Sequence, residues 1–224
     1  MTDIDFYFDP ISPFAWLAFQ QLPDALMGCS YRVRHKPVLF AALLKHHGQL
    51  GPAEIPAKRD WTYRHVQWLA HSMGQPLHMP AAHPFNPLPL LRLALACAAP
   101  GEPGTCNRFV AEAVLRHVWA TGEDPLAPAR LVTLQATLAD HMAARGTPMA
   151  DPDSDAVKQQ LRANGEAALA LGLFGVPSMV VGERVFWGLD SLPMLKACLE
   201  GDAWFNGPAW DGVRHVPVGI SRKG

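Results

Sequence analysis

The stretch Ile4-Asp5-Phe6-Tyr7-Phe8-Asp9-Pro10-Ile11-Ser12-Pro13-Phe14 decides how the rest of the chain is read. Ile4, Phe6 and Phe8 alternate with Asp5 and Tyr7, the period-two pattern of a short strand, and the run stops at Asp9-Pro10. Phe14, Leu17, Ala18, Leu22 and Leu26 then recur at helical spacing. Ser12-Pro13 stands at the junction, a preferred cap followed by a preferred first helical residue. A helix is therefore predicted to begin there, with its free amides facing the Ser12 side chain. Tyr31, Val33 and His35 alternate again within residues 31–36, at the distance a βαβ unit needs. The first 37 residues read as strand, helix, parallel strand.

Moving outward, the pattern turns helical for more than a hundred residues. Helices are predicted over about 39–47, over 57–73 with Gly74 as the stop, and from Asn86-Pro87 to Pro100-Gly101. Further helices are predicted over about 105–120, 128–145 and 154–171, with loops at 101–104 and 122–125. Strand signals return at Ser178-Met179-Val180-Val181 and Val185-Phe186-Trp187, a hairpin around Gly182. A last helix is expected from near Asp190 to Gly201. Neither β-containing end has enough strands to stand alone, so one mixed sheet split by an insertion is expected.

With 224 residues the chain can bury a real core, and 49% hydrophobic against 17% charged residues excludes disorder. Nineteen Lys+Arg against 20 Asp+Glu leave a net charge of −1, so no global field recruits polyanions. Nucleic acid and membranes are not expected partners. Met1-Thr2-Asp3-Ile4-Asp5 lacks a basic leader, and the uncharged run from Ala167 to Gly182 is broken by Gly and Pro. A soluble, cytoplasmic protein is expected. Cys29, Cys97, Cys106 and Cys198 form no C-x-x-C pair, and the ten histidines show no zinc-ligand spacing. Reduced thiols and no metal are expected.

Three segments could carry chemistry. In Ser12-Pro13-Phe14-Ala15, a side chain at a helix start after a strand end lies where negative charge is stabilised. A redox protein would hold a low-pKa cysteine there. Here Ser12 and Ala15 occupy the positions of a dithiol, which leaves dithiol exchange without a chemical basis. A hydroxyl at that place could instead donate to a thiolate supplied by another molecule; Ser-Pro is also simply a good cap. In Phe174-Gly175-Val176-Pro177-Ser178, a cis peptide before Pro177 would leave Val176 free to pair with an extended, peptide-like ligand. The same residues also read as a plain loop-to-strand junction. In Trp187-Gly188-Leu189-Asp190, Asp190 is either a helix cap or a carboxylate that receives an ammonium group.

Taken together, Phe6-Tyr7-Phe8-Asp9 with Ser12-Pro13-Phe14, Gly48-Gln49-Leu50-Gly51-Pro52, and Phe174-Gly175-Val176-Pro177 with Trp187-Gly188-x-Asp190 resemble the 2-hydroxychromene-2-carboxylate isomerases. These are relatives of kappa-class glutathione transferases and of thioredoxin-like disulfide oxidases. The resemblance runs from about residue 3 to 200, with the motifs in the same order. It implies an α/β, thioredoxin-like fold with a large all-α insertion domain: residues 1–45 and 170–201 for the discontinuous thioredoxin-like domain, 46–169 for the helical insertion, 202–224 for an extension past the family pattern.

The resemblance also implies glutathione as the cofactor and a homodimer. Ser12 would hold the glutathione sulfur as thiolate, and Val176 would pair with the cysteinyl backbone. Trp187, Gly188, Leu189 and Asp190 would surround the γ-glutamyl end. Lys58 matches a basic residue that meets a glutathione carboxylate in kappa relatives, and Gln49 takes the place of an amide residue there. A lysine in a first helical turn also reads as a solvated charge. Lys45, His83 and Asn86 are candidates for the carboxylate and phenol oxygens of a small aromatic carboxylate substrate; His83 stands where an aromatic hydroxyl residue is expected. The implied reaction is glutathione-dependent interconversion of 2-hydroxychromene-2-carboxylate and trans-o-hydroxybenzylidenepyruvate, a step of aromatic hydrocarbon degradation. The alternatives are a kappa-like glutathione transferase and a non-catalytic thioredoxin-like module that binds peptide.

Overall fold

A computed structural model describes residues 1–99 and 101–220. Strand β1 (Thr2–Phe8) leads through helix α1 (Pro13–Ala25) to β2 (Tyr31–Pro37), which lies parallel to β1 with Phe6 opposite His35. After the helical block, β3 (Ser178–Val181) returns antiparallel to β1, Phe6 facing Met179, and β4 (Arg184–Trp187) closes a hairpin. The sheet order is β2-β1-β3-β4. Between β2 and β3 run α2 (Phe40–His46), α3 (Pro56–Ser72), α4 (Leu88–Ala96), α5 (Arg108–Trp119), α6 (Pro128–Ala144) and α7 (Asp155–Ala170). Helices α8 (Leu192–Leu199) and α9 (Pro208–Asp211) follow the sheet. This is the thioredoxin-like α/β arrangement with a large helical insertion. No helix among the described residues is long and apolar enough to cross a membrane.

Helix starts follow local hydrogen-bond needs. Three of them share an Asp-Pro-x-cap turn. At Asp9 the carboxylate accepts the Ile11 N–H (3.0 Å) and the main-chain carbonyl accepts the Ser12 N–H (3.0 Å). The same two bonds form from Asp124 to Leu126 (2.9 Å) and Ala127 (3.3 Å), ahead of α6. They recur from Asp151 to Asp153 (2.9 Å) and Ser154 (3.1 Å), ahead of α7. In each turn the aspartate satisfies amides that the coming helix leaves without partners.

Several predicted boundaries move. Helix α4 begins at Leu88, because its first helical bond runs from the Leu91 N–H to the Pro87 carbonyl (3.0 Å), and the Asn86 side chain accepts the Leu88 N–H (3.1 Å). It ends early: Cys97 and Ala98 already bond three residues back, to Ala94 and Leu95, and Pro100 of the expected terminus lies outside the described residues. Helix α5 starts at Arg108, since the Cys106 N–H is spent on the His35 carbonyl (2.9 Å) and Asn107 provides the cap. Asp190 does not cap the last helix. It sits inside a 3-10 turn, Leu189–Ser191, and α8 begins after it with no side-chain cap.

The alternation in β1 marks two faces, and both are covered. Ile4, Phe6 and Phe8 join Trp16 and Phe19 of α1, Val66 and Ala70 of α3, Val114 and Val118 of α5, and Leu138 of α6 in one continuous core. On the other face Tyr7 and Val180 pack with Val38, Leu43, Ala168, Leu173 and Val176. Asp5, also on that face, is buried against Arg34 and Lys36 (Lys36 Nζ to Oδ2, 2.9 Å). Part of the C-terminal extension packs on the sheet: the Phe205 ring lies 5.9 Å from that of Phe186, and Arg184 donates to the Phe205 carbonyl (3.0 Å) and the Asn206 side chain (2.7 Å). Its last residues, 221–224, lie outside the described residues.

Candidate active site

Ser12 stands at the carboxyl end of β1 and caps α1. Its Oγ accepts the Ala15 N–H (3.3 Å), and its hydroxyl donates to the Val176 carbonyl, 164 residues away, at 3.4 Å. A hydroxyl bond of that length is weak beside the usual 2.7–2.8 Å, so the proton is held loosely. The Phe14 N–H has no acceptor among the described residues, because the proline-containing turn places none behind it. A loosely held O–H and a free N–H thus converge on the positive end of a helix of 13 residues. The charge such a place favours is negative.

The Val176-Pro177 peptide is cis, and the Val176 N–H is likewise without a partner among the described residues. The Pro177 carbonyl accepts the Gly188 N–H (2.9 Å), which ties the junction to the end of the hairpin. Trp187 is 52% exposed and its ring lies 4.8 Å from that of Phe174, forming an aromatic wall beside Val176. Gly175 is needed there, since a Cβ would run into the Trp187 indole. Gly188 takes a positive φ of 90°, a conformation glycine adopts freely. Leu189 is buried, Asp190 exposed, and Ser191 Oγ closes the turn on the Gly188 carbonyl (2.8 Å).

The structure therefore brings together Ser12, Val176, Trp187, Gly188, Leu189 and Asp190, from two distant parts of the chain. Lys45 near the end of α2, Gln49 in the following turn, Lys58 in the first turn of α3 and Asn86 ahead of α4 are all exposed. No hydrogen bond among the described residues joins these four to the Ser12–Val176 pair. His83 does reach the Ser12 loop, by a route the sequence did not indicate: its Nε2 lies 2.8 Å from the Ile11 carbonyl, and its Nδ1 lies 2.8 Å from the Tyr63 hydroxyl. Both ring nitrogens are engaged within the chain.

Other groups complete the loop. Trp119 Nε1 donates to the Pro10 carbonyl (2.9 Å). Asp9 is fully buried, and its second carboxylate oxygen accepts the Phe40 N–H (2.9 Å). Burial pushes its carboxyl up to about 7, opposed by the two amide donors. Burial lowers the pKa of His83, opposed by its bond to the Ile11 carbonyl. Asp9 was readable as a turn residue; its burial was not. Nothing local in the sequence marks Trp119. The cysteines contribute no sulfur here. Cys97 and Cys106 lie in the core, where burial raises their thiols, that of Cys97 to about 12.

A strand end, a Ser-capped helix and a cis-proline junction face each other across a mixed sheet, which defines a thioredoxin-fold protein whose cysteine positions are filled by Ser12 and Ala15. The chain belongs to the DSBA-like thioredoxin domain family, which it matches over residues 3–200. It is 28% identical over 199 residues to the 2-hydroxychromene-2-carboxylate isomerase of Pseudomonas putida, covering 88% of this chain and 93% of that one. It is 24% identical over 210 residues to glutathione S-transferase kappa 1 of Rattus norvegicus, covering 90% and 92%. Among solved structures, a 2-hydroxychromene-2-carboxylate isomerase superposes with a TM-score of 0.73 at 25% identity, over 91% of this chain and 97% of that chain.

Proposed function

We propose that this protein is a glutathione-dependent isomerase of small aromatic carboxylates, interconverting 2-hydroxychromene-2-carboxylate and trans-o-hydroxybenzylidenepyruvate. The observation that carries the reading is the Ser12 hydroxyl, held loosely at the start of α1 against Val176, with no cysteine at position 12 or 15. The named relatives of similar length support the same choice. The free amides of Phe14 and Val176 fit a peptide that carries an anionic sulfur. Bound glutathione would supply a thiolate nucleophile that adds reversibly to a conjugated carbon, so that the intervening bond can rotate before the double bond is restored.

The chain's own part is binding and electrostatics. The Ser12 O–H turns from Val176 to the sulfur and exchanges a weak neutral bond for a charge-assisted one. The α1 terminus and the Phe14 N–H lower the energy of the same charge. Val176 pairs with the cysteinyl backbone, Trp187, Gly188 and Leu189 enclose the γ-glutamyl end, and Asp190 receives its ammonium. Lys58 and Gln49 serve the remaining polar groups of glutathione. Lys45 and Asn86 are the exposed polar groups offered to the substrate carboxylate. The protein acts as a homodimer.

Purified protein given the hydroxychromene carboxylate with and without glutathione tests this directly. A spectral change that requires glutathione is expected. Turnover indifferent to glutathione removes the cofactor. Conjugation of chlorodinitrobenzene without isomerisation assigns the chain to the transferases instead.

A further inference from the structure

Three side chains grip the peptide groups ahead of Ser12, and they are not equivalent. The Asp9 carboxylate bond to the residue two positions on recurs at Asp124 and Asp151, so it belongs to the turn itself. The grip of Trp119 on Pro10 has a counterpart as well, since His117 Nε2 lies 2.9 Å from the Pro125 carbonyl. The bond of His83 to Ile11 has none: among the described residues, no side chain reaches the matching carbonyls of Leu126 or Asp153.

We propose that His83 is a positioning residue, whose Nε2–H holds the Ile11 carbonyl and thereby sets the orientation of the peptide group that carries Ser12. A carbonyl only accepts, so Nε2 must bear the proton. In the neutral ring Nδ1 is then an acceptor, and the Tyr63 hydroxyl, 2.8 Å from Nδ1 and 3.0 Å from the His83 carbonyl, shares its one proton between the two. A second contact fixes the ring plane, which lies 5.5 Å from Trp119 between centroids. The result is a relay from α3 through His83 to the residue before Ser12. It gives the helical insertion a hold on the hydroxyl that a serine cap alone would lack. Because the Ser12 bond to Val176 is long and weak, the hydroxyl's direction depends on how firmly its own backbone is held.

The functional half of this proposal rests on the glutathione reading, whereas the grip itself does not. The test compares His83→Ala, His83→Gln and Tyr63→Phe with wild type by amide exchange at Ile11, Ser12 and Ala15, by the ultraviolet thiolate titration of bound glutathione, and by kcat and KM. Gln places an N–H donor near the position of Nε2. His83→Ala is expected to speed exchange at Ile11 and Ser12 about tenfold, raise the pKa of the bound thiol, and lower kcat about tenfold with little change in KM. His83→Gln is expected to restore all three. Unchanged exchange in a folded His83→Ala protein overturns the grip. Faster exchange with unaltered kcat and thiol pKa overturns the positioning role, as does failure of a folded His83→Gln protein to recover. Should His83→Ala not fold, Tyr63→Phe decides: about threefold faster exchange at the same amides supports the grip, and unchanged exchange overturns it. Wild-type protein that neither binds glutathione nor turns over with it defeats the proposed function, and amide exchange then judges the grip alone.

Discussion

Asp9-Pro10-Ile11-Ser12 and Asp151-Pro152-Asp153-Ser154 are nearly the same words in two places, and they fold into the same turn. In both, Ser Oγ caps a helix three residues on, from Ala15 at 3.3 Å and Val157 at 3.4 Å. They part at the hydroxyl proton. Ser154 donates it to Asp151, three residues back, at 2.7 Å. Ser12 sends it at 3.4 Å to another part of the chain. The surroundings differ to match, since Asp9 is buried and Asp151 exposed. A third copy, Asp124-Pro125-Leu126-Ala127, starts α6 with no hydroxyl at all. The turn therefore does not need serine. At Ser154 the side chain finishes a local hydrogen-bond pattern, and at Ser12 it is left partly uncommitted where charge is favoured.

The largest expected break in this comparison is Ser12→Ala against Ser154→Ala. The first should lower glutathione-dependent turnover about 100-fold or more and raise the bound thiol pKa, while the protein stays folded as α6 does without a hydroxyl cap. The second should leave turnover unchanged. Equal losses in a steady-state assay would remove the distinction between the two serines.

Next comes pH. Native Asp9 keeps its proton to about 7, whereas an unfolded aspartate releases it near 3.9. Between these values the native state binds more protons, so this group's contribution falls as pH rises. His35, lowered to about 4 by burial, works in the opposite sense over much of the same window. The difference between wild type and Asp9→Asn isolates the first. Urea unfolding should show it declining by roughly 2 kcal/mol from pH 4.5 to 7.5, allowing for relaxation of the site. The matching Asp151→Asn difference should be flat.

Trp119→Phe leaves the Pro10 carbonyl unpaired in the core and should cost about 1–3 kcal/mol in the same measurement. Smallest of all, Ala127→Ser supplies the missing hydroxyl to the third turn. It should stabilise α6 by about 0.5–1 kcal/mol in thermal unfolding, without effect on turnover.

Much of the architecture was legible because its signals are local. The alternation of Ile4, Phe6 and Phe8, the cap at Ser12, the helix start at Ser154 and the Val176-Pro177 junction each announce themselves within a few residues, whereas the Asn107 cap was passed over. Asp190 misled, because a carboxylate ahead of a helix reads as a cap whether or not a 3-10 turn intervenes. The groups around Ser12 were not legible for a different reason. His83 meets Ile11 across 72 residues and Trp119 meets Pro10 across 109, and a hydrogen bond at such separation leaves no periodicity or composition behind. Asp9 looked like a turn former, which it is; only packing turns it into a buried acid.

The core that passes from Phe6 and Phe8 through Trp16 into Val114, Val118 and Leu138 has a consequence for engineering. The helical block is not a cassette. Val66, Ala70, Val114, Val118 and Leu138 of the block share one core with α1, so exchanging the block between relatives means exchanging part of the underside of the Ser12 helix too. A chimera cut at residues 46 and 169 would keep the Ser12, Val176-Pro177 and Trp187–Asp190 motifs and still inherit a mismatched interface, and its failure would show in the melting temperature.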